Sequence, residues 1–494
     1  MGLDTLLLDH PLADDAGLIH TVDRSVTAGD AKASARRLAQ TLTSAGIEPG
    51  QAVATRLDDT PEAVIAMFGI WAAGAVFVPV NPRHPVAEAD HVMSSTGVVA
   101  VIGSAEAVAP WDGKLTVVSP TADLGWRVAG SVPAPSATKH GEDTAFATFT
   151  SGTTGRPKAV LHGHTEYLEL LDRVLGPISS RRDTAKEPMP NLIPTSLALN
   201  AGIYNVLFGF RAGAPVVLLG RFDTRSFATL VTRHGIRSTV LPPAAMTMLA
   251  DDDGIDSLAP LRYVRSITAP LSPLQARRFM DRFGVTVLNS YGQAETGEVI
   301  GWTSADAKEH PEKLGAAGRP LPGVSVRILD NAGEPAADSE TGELWVLPPS
   351  RTTGYASGES LDERVGADGY WRTGDLAHVD AEGFVWIDGR VSDVINRGGN
   401  KVFPTEVEEV LALHPAVSEA VVIAAPDDRL GEVPVAFIVS AEAVDDAALV
   451  ALCRDHLTPY KVPVSFHRLD AVPRNEIGKV LRAELLARLT EGAP

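Results

Sequence analysis

Residues 148–160 read TFTSGTTGRPKAV, a run of hydroxyl-bearing residues and glycines closed by Lys158. The run follows an apolar, strand-like stretch, Thr144 to Phe149, and precedes a segment that can begin a helix near Thr165. Backbone N–H groups and hydroxyls in such a loop can wrap a polyphosphate, because small residues let the main chain approach oxygen and a lysine adds counter-charge. The spacing G-x-x-x-x-G-K-[ST] of the commoner phosphate loop is absent. A hydroxyl- and glycine-rich hairpin connection is the alternative, and this loop alone leaves both readings open.

Upstream, residues 31–102 alternate helical and strand patterns. The reading is a helix over Ala31–Ala45, a turn at Pro49-Gly50, a strand over Ala52–Arg56, a helix over Pro61–Ala73 and a strand over Ala75–Val80. That alternation predicts a mostly parallel sheet with helices on both faces. Ala63–Val80 is uncharged and just long enough to raise the question of a membrane span. Gly74 and Pro79 divide it into helix and strand, so it reads as a buried layer and no membrane span is expected. Between Gly103 and Asp143 the pattern weakens into connections containing Pro, Ser and Gly.

Downstream, Ser179–Pro190 is polar and of mixed charge and is expected at the surface. A helix from Ala201 and a strand over Pro215–Leu219 open a second α/β layer that runs through Ser290. From Gly318 short strands take over, VSVRILD, GELWVL and GFVWIDGR, which suggest a small β-subdomain. Beyond Arg390 the alternation returns on a smaller scale, with helices over Thr405–Leu413 and Asp446–Leu457 and strands over Ala420–Ala424 and Val433–Val439. The expected fold class is α/β. A large N-terminal domain, residues 1–390, combines two α/β layers with the β-subdomain, and a small mobile α+β domain spans residues 391–494.

A chain of 494 residues exceeds one hydrophobic core. With 45% apolar and 21% charged residues it has the make-up of a folded globular protein rather than a disordered one. The net charge of −19 argues against nonspecific binding to nucleic acid or anionic membranes, so an anionic ligand has to be met by a local site. Cys453 is the only cysteine, which excludes an intrachain disulfide and suits a reducing cytoplasm. The amino terminus, MGLDTLLLDHPLADD, has no basic region ahead of its apolar run, unlike a secretory signal. Leu6 also stands where myristoylation of Gly2 needs Ser or Thr.

Several further motifs carry chemistry. NSYGQAETG, Asn289–Gly297, places Glu295 just past a strand, where a carboxylate can hold Mg²⁺ bridging phosphates, and Tyr291 can stack on a purine. Trp371-Arg372-Thr373-Gly374-Asp375 sets an acid in a tight turn, where it can accept ribose hydroxyls. GRVSDVINRGGNKVFPTEVE, Gly389–Glu408, joins a turn, a basic Gly-Gly loop and a helix start, and PRNEIGKVLR puts Lys479 on a glycine-preceded turn. Taken singly, an exposed loop glutamate, a core tyrosine and a solvated turn aspartate are the commoner explanations.

In this order and spacing, the pieces resemble the adenylate-forming superfamily of acyl-CoA synthetases, nonribosomal adenylation domains and firefly-type luciferases. The resemblance runs from about Ala31 to Leu485 and includes GRPLPGVSVRILD, GELWV and LTPYKVP. It implies an enzyme, most like a stand-alone acid:CoA ligase, that uses ATP and Mg²⁺ to make an acyl-adenylate and then passes the acyl group to CoA. The resemblance assigns Thr150, Ser151, Gly152, Thr153, Thr154, Gly155 and Lys158 to the β- and γ-phosphates. Ala269, Pro270 and Tyr291, with Gly292 and Gln293, match the surroundings of adenine, Glu295 the magnesium carboxylate, Asp375 the ribose acceptor and Arg390 the arginine beside it. Ser392 matches the hinge, Gly398 and Gly399 the loop lining the pantetheine tunnel, and Lys479 the lysine bridging substrate carboxylate and α-phosphate. In the family the small domain swings about the hinge between the half-reactions, withdrawing that lysine.

The chain departs from the family pattern at Ala159 for a glycine, Ala294 for a threonine, Leu199 for a histidine or aromatic gate, and Asn396 for the lysine of some members. The segment TSLALNAG lacks the aspartate with which amino-acid-activating relatives pair an α-ammonium group, which favours a non-amino acid. Leu199, Asn200, Tyr204 and Thr268 are expected to line the acyl pocket, and their mostly apolar character favours a fatty, aromatic or alicyclic acid. The leading expectation is an acid:CoA ligase. Alternatives are an adenylating enzyme that hands the acyl group to a carrier-protein thiol or an amine, and a non-catalytic adenylate-binding protein. Nucleic acid is not an expected partner.

Overall fold

The computed structural model describes residues 2–130, 139–150, 158–179, 188–330, 332–361, 363–440, 442–474 and 480–490. Ser151–Gly155, most of the polar stretch 179–190, and Lys479 lie outside the described residues. The chain forms a large N-terminal mixed α/β domain and a small C-terminal domain.

The first layer is, among the described residues, an eight-stranded sheet. Its strands run, edge to edge, Gly354–Tyr355, Lys158–Gly163, Thr144–Thr150, Val76–Pro79, Ala52–Arg56, Val98–Gly103, Thr116–Pro120 and Trp126–Gly130. The centre is parallel and both flanks are antiparallel. All five residues of Ala52–Arg56 and all six of Val98–Gly103 are buried, as expected for parallel strands covered on both faces. The helices Ala28–Ser44 and Pro61–Ala72 pack together against it, the second begun by Pro61 at its first position. The weak pattern between Gly103 and Asp143 conceals two strands: Thr116–Pro120 is short, and Trp126–Gly130 is a half-exposed edge without an apolar face.

A second layer joins Asn191–Ile193, Val216–Leu218, Gly17–His20 and Ser25–Thr27, and a parallel set follows in Ser238–Leu241, Tyr263–Ser266 and Thr286–Leu288. The helix Asn200–Arg211 covers this region. The expected β-subdomain is an antiparallel meander of Ser325–Leu329, Gly342–Leu347, Trp371–Val379 and Val385–Arg390. The small domain carries a sheet of Ile395–Arg397, Asn400–Val402, Val417–Asp427, Gly431–Ser440 and Phe466–Arg468, with helices Pro404–Leu411, Asp446–His456 and Arg482–Thr490. Between the meander and this sheet lies one short turn, Val391–Asp393.

Candidate active site

The strands Thr144–Thr150 and Lys158–Gly163 pair antiparallel, Thr150 opposite Lys158, next to the edge strand Gly354–Tyr355. Lys158 leaves this edge with its ammonium 2.6 Å from Glu359 and 5.6 Å from the centre of the Tyr355 ring. Tyr355 reaches the same edge because Gly354–Tyr355 pairs with Val160–Leu161. Its hydroxyl donates to Glu295 Oε1 at 3.1 Å. Burial, and then the Glu295 charge, push the Tyr355 phenol above its ordinary pKa, so it stays a protonated donor. A second tie fixes Glu295, whose carbonyl accepts from the Thr352 N–H at 2.8 Å.

Glu295 sits in the bend between the strands Ser290–Gln293 and Gly297–Gly301. The strands approach so closely that a Cβ on Gly292 would lie 2.2 Å from the Gly297 carbonyl, which demands glycine there. No cluster of three or more His, Cys, Asp or Glu able to hold a metal occurs among the described residues. Mg²⁺ on a nucleotide does not require one, since it commonly takes one or two protein carboxylates and fills its shell with phosphate oxygens and water. Glu295 suits that use, because Oε2 has no hydrogen-bond partner among the described residues.

A second cluster forms around Asp375, which is 4% exposed. Its Oδ2 accepts from the Tyr291 hydroxyl at 2.5 Å and from Gln293 Nε2 at 2.8 Å, and its Oδ1 pairs with Arg390 Nε at 2.9 Å. Asp375 and Arg390 face each other across paired strands. Burial and the Asp375 charge push the Tyr291 phenol well above its ordinary pKa, so it too remains a donor. A carboxylate offers about four lone-pair sites, so three bonds leave one on Oδ1 for a ribose hydroxyl. Gln293 also donates to the Thr373 carbonyl at 2.9 Å and accepts from Trp371 Nε1 at 3.0 Å, so its side chain supports Asp375.

Ala269 and Pro270 follow the strand Tyr263–Ser266, whose end is tied to the Glu295 hairpin by Ser290 Oγ donating to the Ser266 carbonyl at 2.8 Å. Thr268 precedes them in a left-handed conformation, φ 73°, which is strained for a β-branched residue and typical of ligand-facing turns. Leu199 caps the helix Asn200–Arg211, and Asn200 Oδ1 accepts from the Tyr167 hydroxyl. Asp59 anchors the preceding loop, accepting from the Leu197 N–H at 2.6 Å and Ser196 Oγ at 3.1 Å. Tyr204 lies on the same helix, its ring 6.1 Å from Phe208.

Gly398 and Gly399 form the exposed turn of a small-domain hairpin, both at positive φ, and Gly398 N donates to the Leu430 carbonyl at 2.8 Å. Among the described residues neither bonds to the clusters above. Ser392 is exposed in the turn before the small domain, its hydroxyl donating to Asp393 at 2.9 Å.

The family model for AMP-binding enzymes matches residues 10–356, and that for the AMP-binding enzyme C-terminal domain matches residues 406–479. The chain belongs to the AMP-binding enzyme family. It is 31% identical over 485 residues to a sulfoacetate–CoA ligase of Cupriavidus necator, spanning 94% of this chain and 92% of that one. Among solved structures it resembles ATP-bound MatB from Rhodopseudomonas palustris, with TM-score 0.87, 25% identity and 99% of each chain covered. It also resembles the amide bond synthetase McbA from Marinactinospora thermotolerans, with TM-score 0.85, 28% identity and 98% of each chain covered. The fold is that of the adenylate-forming superfamily.

Two features of this AMP-binding enzyme escape sequence reasoning. Tyr355, in TTGYASGE, is 60 residues from the Glu295 it touches, and a lone Gly-Tyr pair gives no signal of a two-residue strand. The second is the pairing of Arg265, three residues before Thr268, with Glu298 at 2.5 Å. No helix among the described residues is long and apolar enough to cross a membrane.

Proposed function

We propose that this AMP-binding enzyme is an ATP-dependent, cytoplasmic carboxylic acid:CoA ligase that forms an acyl-adenylate and then acyl-CoA, with release of pyrophosphate and AMP. The observation that carries the reading is the tie through Tyr355, which gathers Lys158 and Glu295 at one edge beside the Asp375 cluster. Those are the groups a nucleotide triphosphate needs for its phosphates, metal and ribose. Similarity to CoA ligases over nearly the full length supports it.

In this reading Asp375 Oδ1 accepts from the ribose while Tyr291 and Gln293 hold the carboxylate in place. Lys158 would exchange Glu359 for phosphate oxygens, and Tyr355, by occupying Glu295 Oε1, leaves the other carboxylate oxygen of Glu295 as the group that would hold Mg²⁺. Bound Mg²⁺ would lower the charge that repels an incoming carboxylate. Lys479 bridges that carboxylate and the α-phosphate, setting the line of attack. Residues 1–390 then form the activating domain, and the chain from 391 turns about Ser392 to bring Gly398 and Gly399 to the acceptor. The acid is fatty, aromatic or alicyclic in its framework.

One observation favours a second acceptor: the likeness to an amide bond synthetase supports transfer of the acyl group to an amine. The test is a panel of carboxylic acids read by pyrophosphate release, repeated with CoA, an amine or a carrier protein. Acid-dependent release with CoA consumed is the expected result, and absence of acid-dependent release would overturn the reading.

A further inference from the structure

Trp371, Thr373 and Asp375 are the buried positions that open the strand Trp371–Val379, alternating with the exposed Arg372 and the half-buried Gly374. Alternation along a strand puts all three on one face. The hairpin that carries Glu295 packs on that face, and Gln293, the last residue of its strand Ser290–Gln293, reaches each of them. Gln293 Oε1 accepts from Trp371 Nε1 at 3.0 Å, while Nε2 donates to the Thr373 carbonyl at 2.9 Å and to Asp375 Oδ2 at 2.8 Å. One amide thus spans three alternate residues of the meander.

These partners leave the amide one orientation. An indole N–H only donates, and a carbonyl or an ionised carboxylate only accepts, so Oε1 has to face Trp371 and both hydrogens of the NH₂ group are used on Thr373 and Asp375. Trp371 is itself fixed, being 1% exposed in the core formed with Val299, Leu344 and Val346. A phenylalanine would fill that core without a polar atom. A tryptophan brings an N–H that is costly to bury without an acceptor, and Gln293 is that acceptor. The main chain of Asp375 is pinned separately, its N–H donating to Thr373 Oγ1 at 3.1 Å and that hydroxyl donating to the Leu344 carbonyl at 2.6 Å. Rotation of the carboxyl group is the freedom that remains, and the donors from Tyr291 and Gln293 on Oδ2 oppose it.

We propose that Trp371 is a positioning residue for nucleotide recognition: its indole N–H holds the Gln293 amide, and the amide aims Asp375 Oδ1 at the ribose. Trp371 acts through Gln293 and needs no contact with the nucleotide. Removing the indole N–H leaves Gln293 Oε1 without its donor, so the amide is free to turn and one of the two donors on Asp375 Oδ2 is loosened. The ribose is then held less well, whereas groups that meet the phosphates and the acid keep their places. The inference rests on the ribose role proposed above for Asp375 and extends it to a core residue four positions earlier.

The experiment compares kcat/KM for ATP with that for 2′,3′-dideoxy-ATP, read by acid-dependent pyrophosphate release. The wild-type enzyme should favour ATP by about tenfold, as one charge-assisted hydrogen bond to the ribose supplies. In Trp371→Phe that ratio should fall to about threefold, the loss appearing in KM for ATP with kcat held within about twofold. Gln293→Met should lower the ratio at least as far, and the double variant no further than Gln293→Met alone, because both act through one amide. A general fold defect slows both nucleotides together and leaves the ratio where it was. If Trp371→Phe does not fold, as a thermal melt will show, replacing the Trp371 indole with benzothiophene, which carries sulfur in place of the N–H, keeps the core filled and repeats the comparison. A ratio that stays at the wild-type value without the indole N–H, or losses that add in the double variant, overturns the inference. A wild-type ratio near one removes the ribose role of Asp375 and this inference with it, and silence with every acid removes the activation reading as well.

Discussion

Asp375→Asn is the sharpest probe of the nucleotide cluster. The wild-type carboxylate receives two short hydrogen bonds on Oδ2, from Tyr291 and Gln293, and one ion pair on Oδ1. Bonds to an ionised acceptor contribute about 1.5–3 kcal/mol each. Asparagine keeps one acceptor and turns an NH₂ group toward surrounding donors, so one bond is lost and another becomes a donor–donor contact. The Arg390 side chain is 38% exposed, so its pair is screened and adds under about 1 kcal/mol. The sum is a destabilisation of about 3 kcal/mol, visible as a drop of a few degrees in melting temperature. Replacing the charged ribose acceptor with a neutral one should cost about 1.4 kcal/mol more in ATP binding, roughly tenfold in KM for ATP. The assay is a thermal melt together with ATP saturation of pyrophosphate release. Adding Tyr291→Phe to the variant should cost much less than in the wild type, because its partner is already gone. An unchanged melt with an unchanged KM for ATP would refute the reasoning, and full additivity with Tyr291→Phe would show that the two side chains do not act through one bond.

Lys479→Ala should cut adenylate formation by roughly a hundredfold or more while sparing thioester formation from supplied acyl-adenylate; equal loss in both half-reactions rules out its assigned role. Glu295→Gln should raise the Mg²⁺ concentration for half-maximal activity several-fold, and an unaltered metal titration removes it from the metal site. Asp59 supplies a pH test, because burial pushes its carboxyl up to about 6 from 3.8. A folded-state pKa above the unfolded value means that the native state holds the proton more tightly. Stability relative to Asp59→Asn is then greatest in acid and falls as pH rises through 6, by about 2 kcal/mol between pH 4.5 and 7.5. Urea unfolding of both proteins at the two pH values measures it, and a gap independent of pH contradicts the assignment.

Much of the scaffold is legible in the chain because burial and local pattern coincide. Ala52–Arg56 is found residue for residue, since a short, mostly apolar stretch stands between the Pro49-Gly50 turn and a Pro-led helix. The strand Thr144–Thr150 is likewise written locally, whereas its partner Lys158–Gly163 is not read from the sequence. Nor is Trp126–Gly130, because an edge strand with exposed middle residues needs no hydrophobic alternation. The site is less legible than the scaffold. Asp375 and Tyr291 can each be singled out, but the bond between them crosses 84 positions and is set by how the meander packs on the hairpin. The Arg265–Glu298 ion pair is hidden for the same reason, since 33 positions separate its members in the chain.

The ladder between Gly354–Tyr355 and Val160–Leu161 is two residues long, flanked by single bonds from the Thr353 N–H to the Leu161 carbonyl and from the Ala356 N–H to the Ala159 carbonyl. So short a seam can part at far less cost than the sheet it borders. Parting this short seam would release Glu295 and Lys158 at the same moment, because one ring touches both.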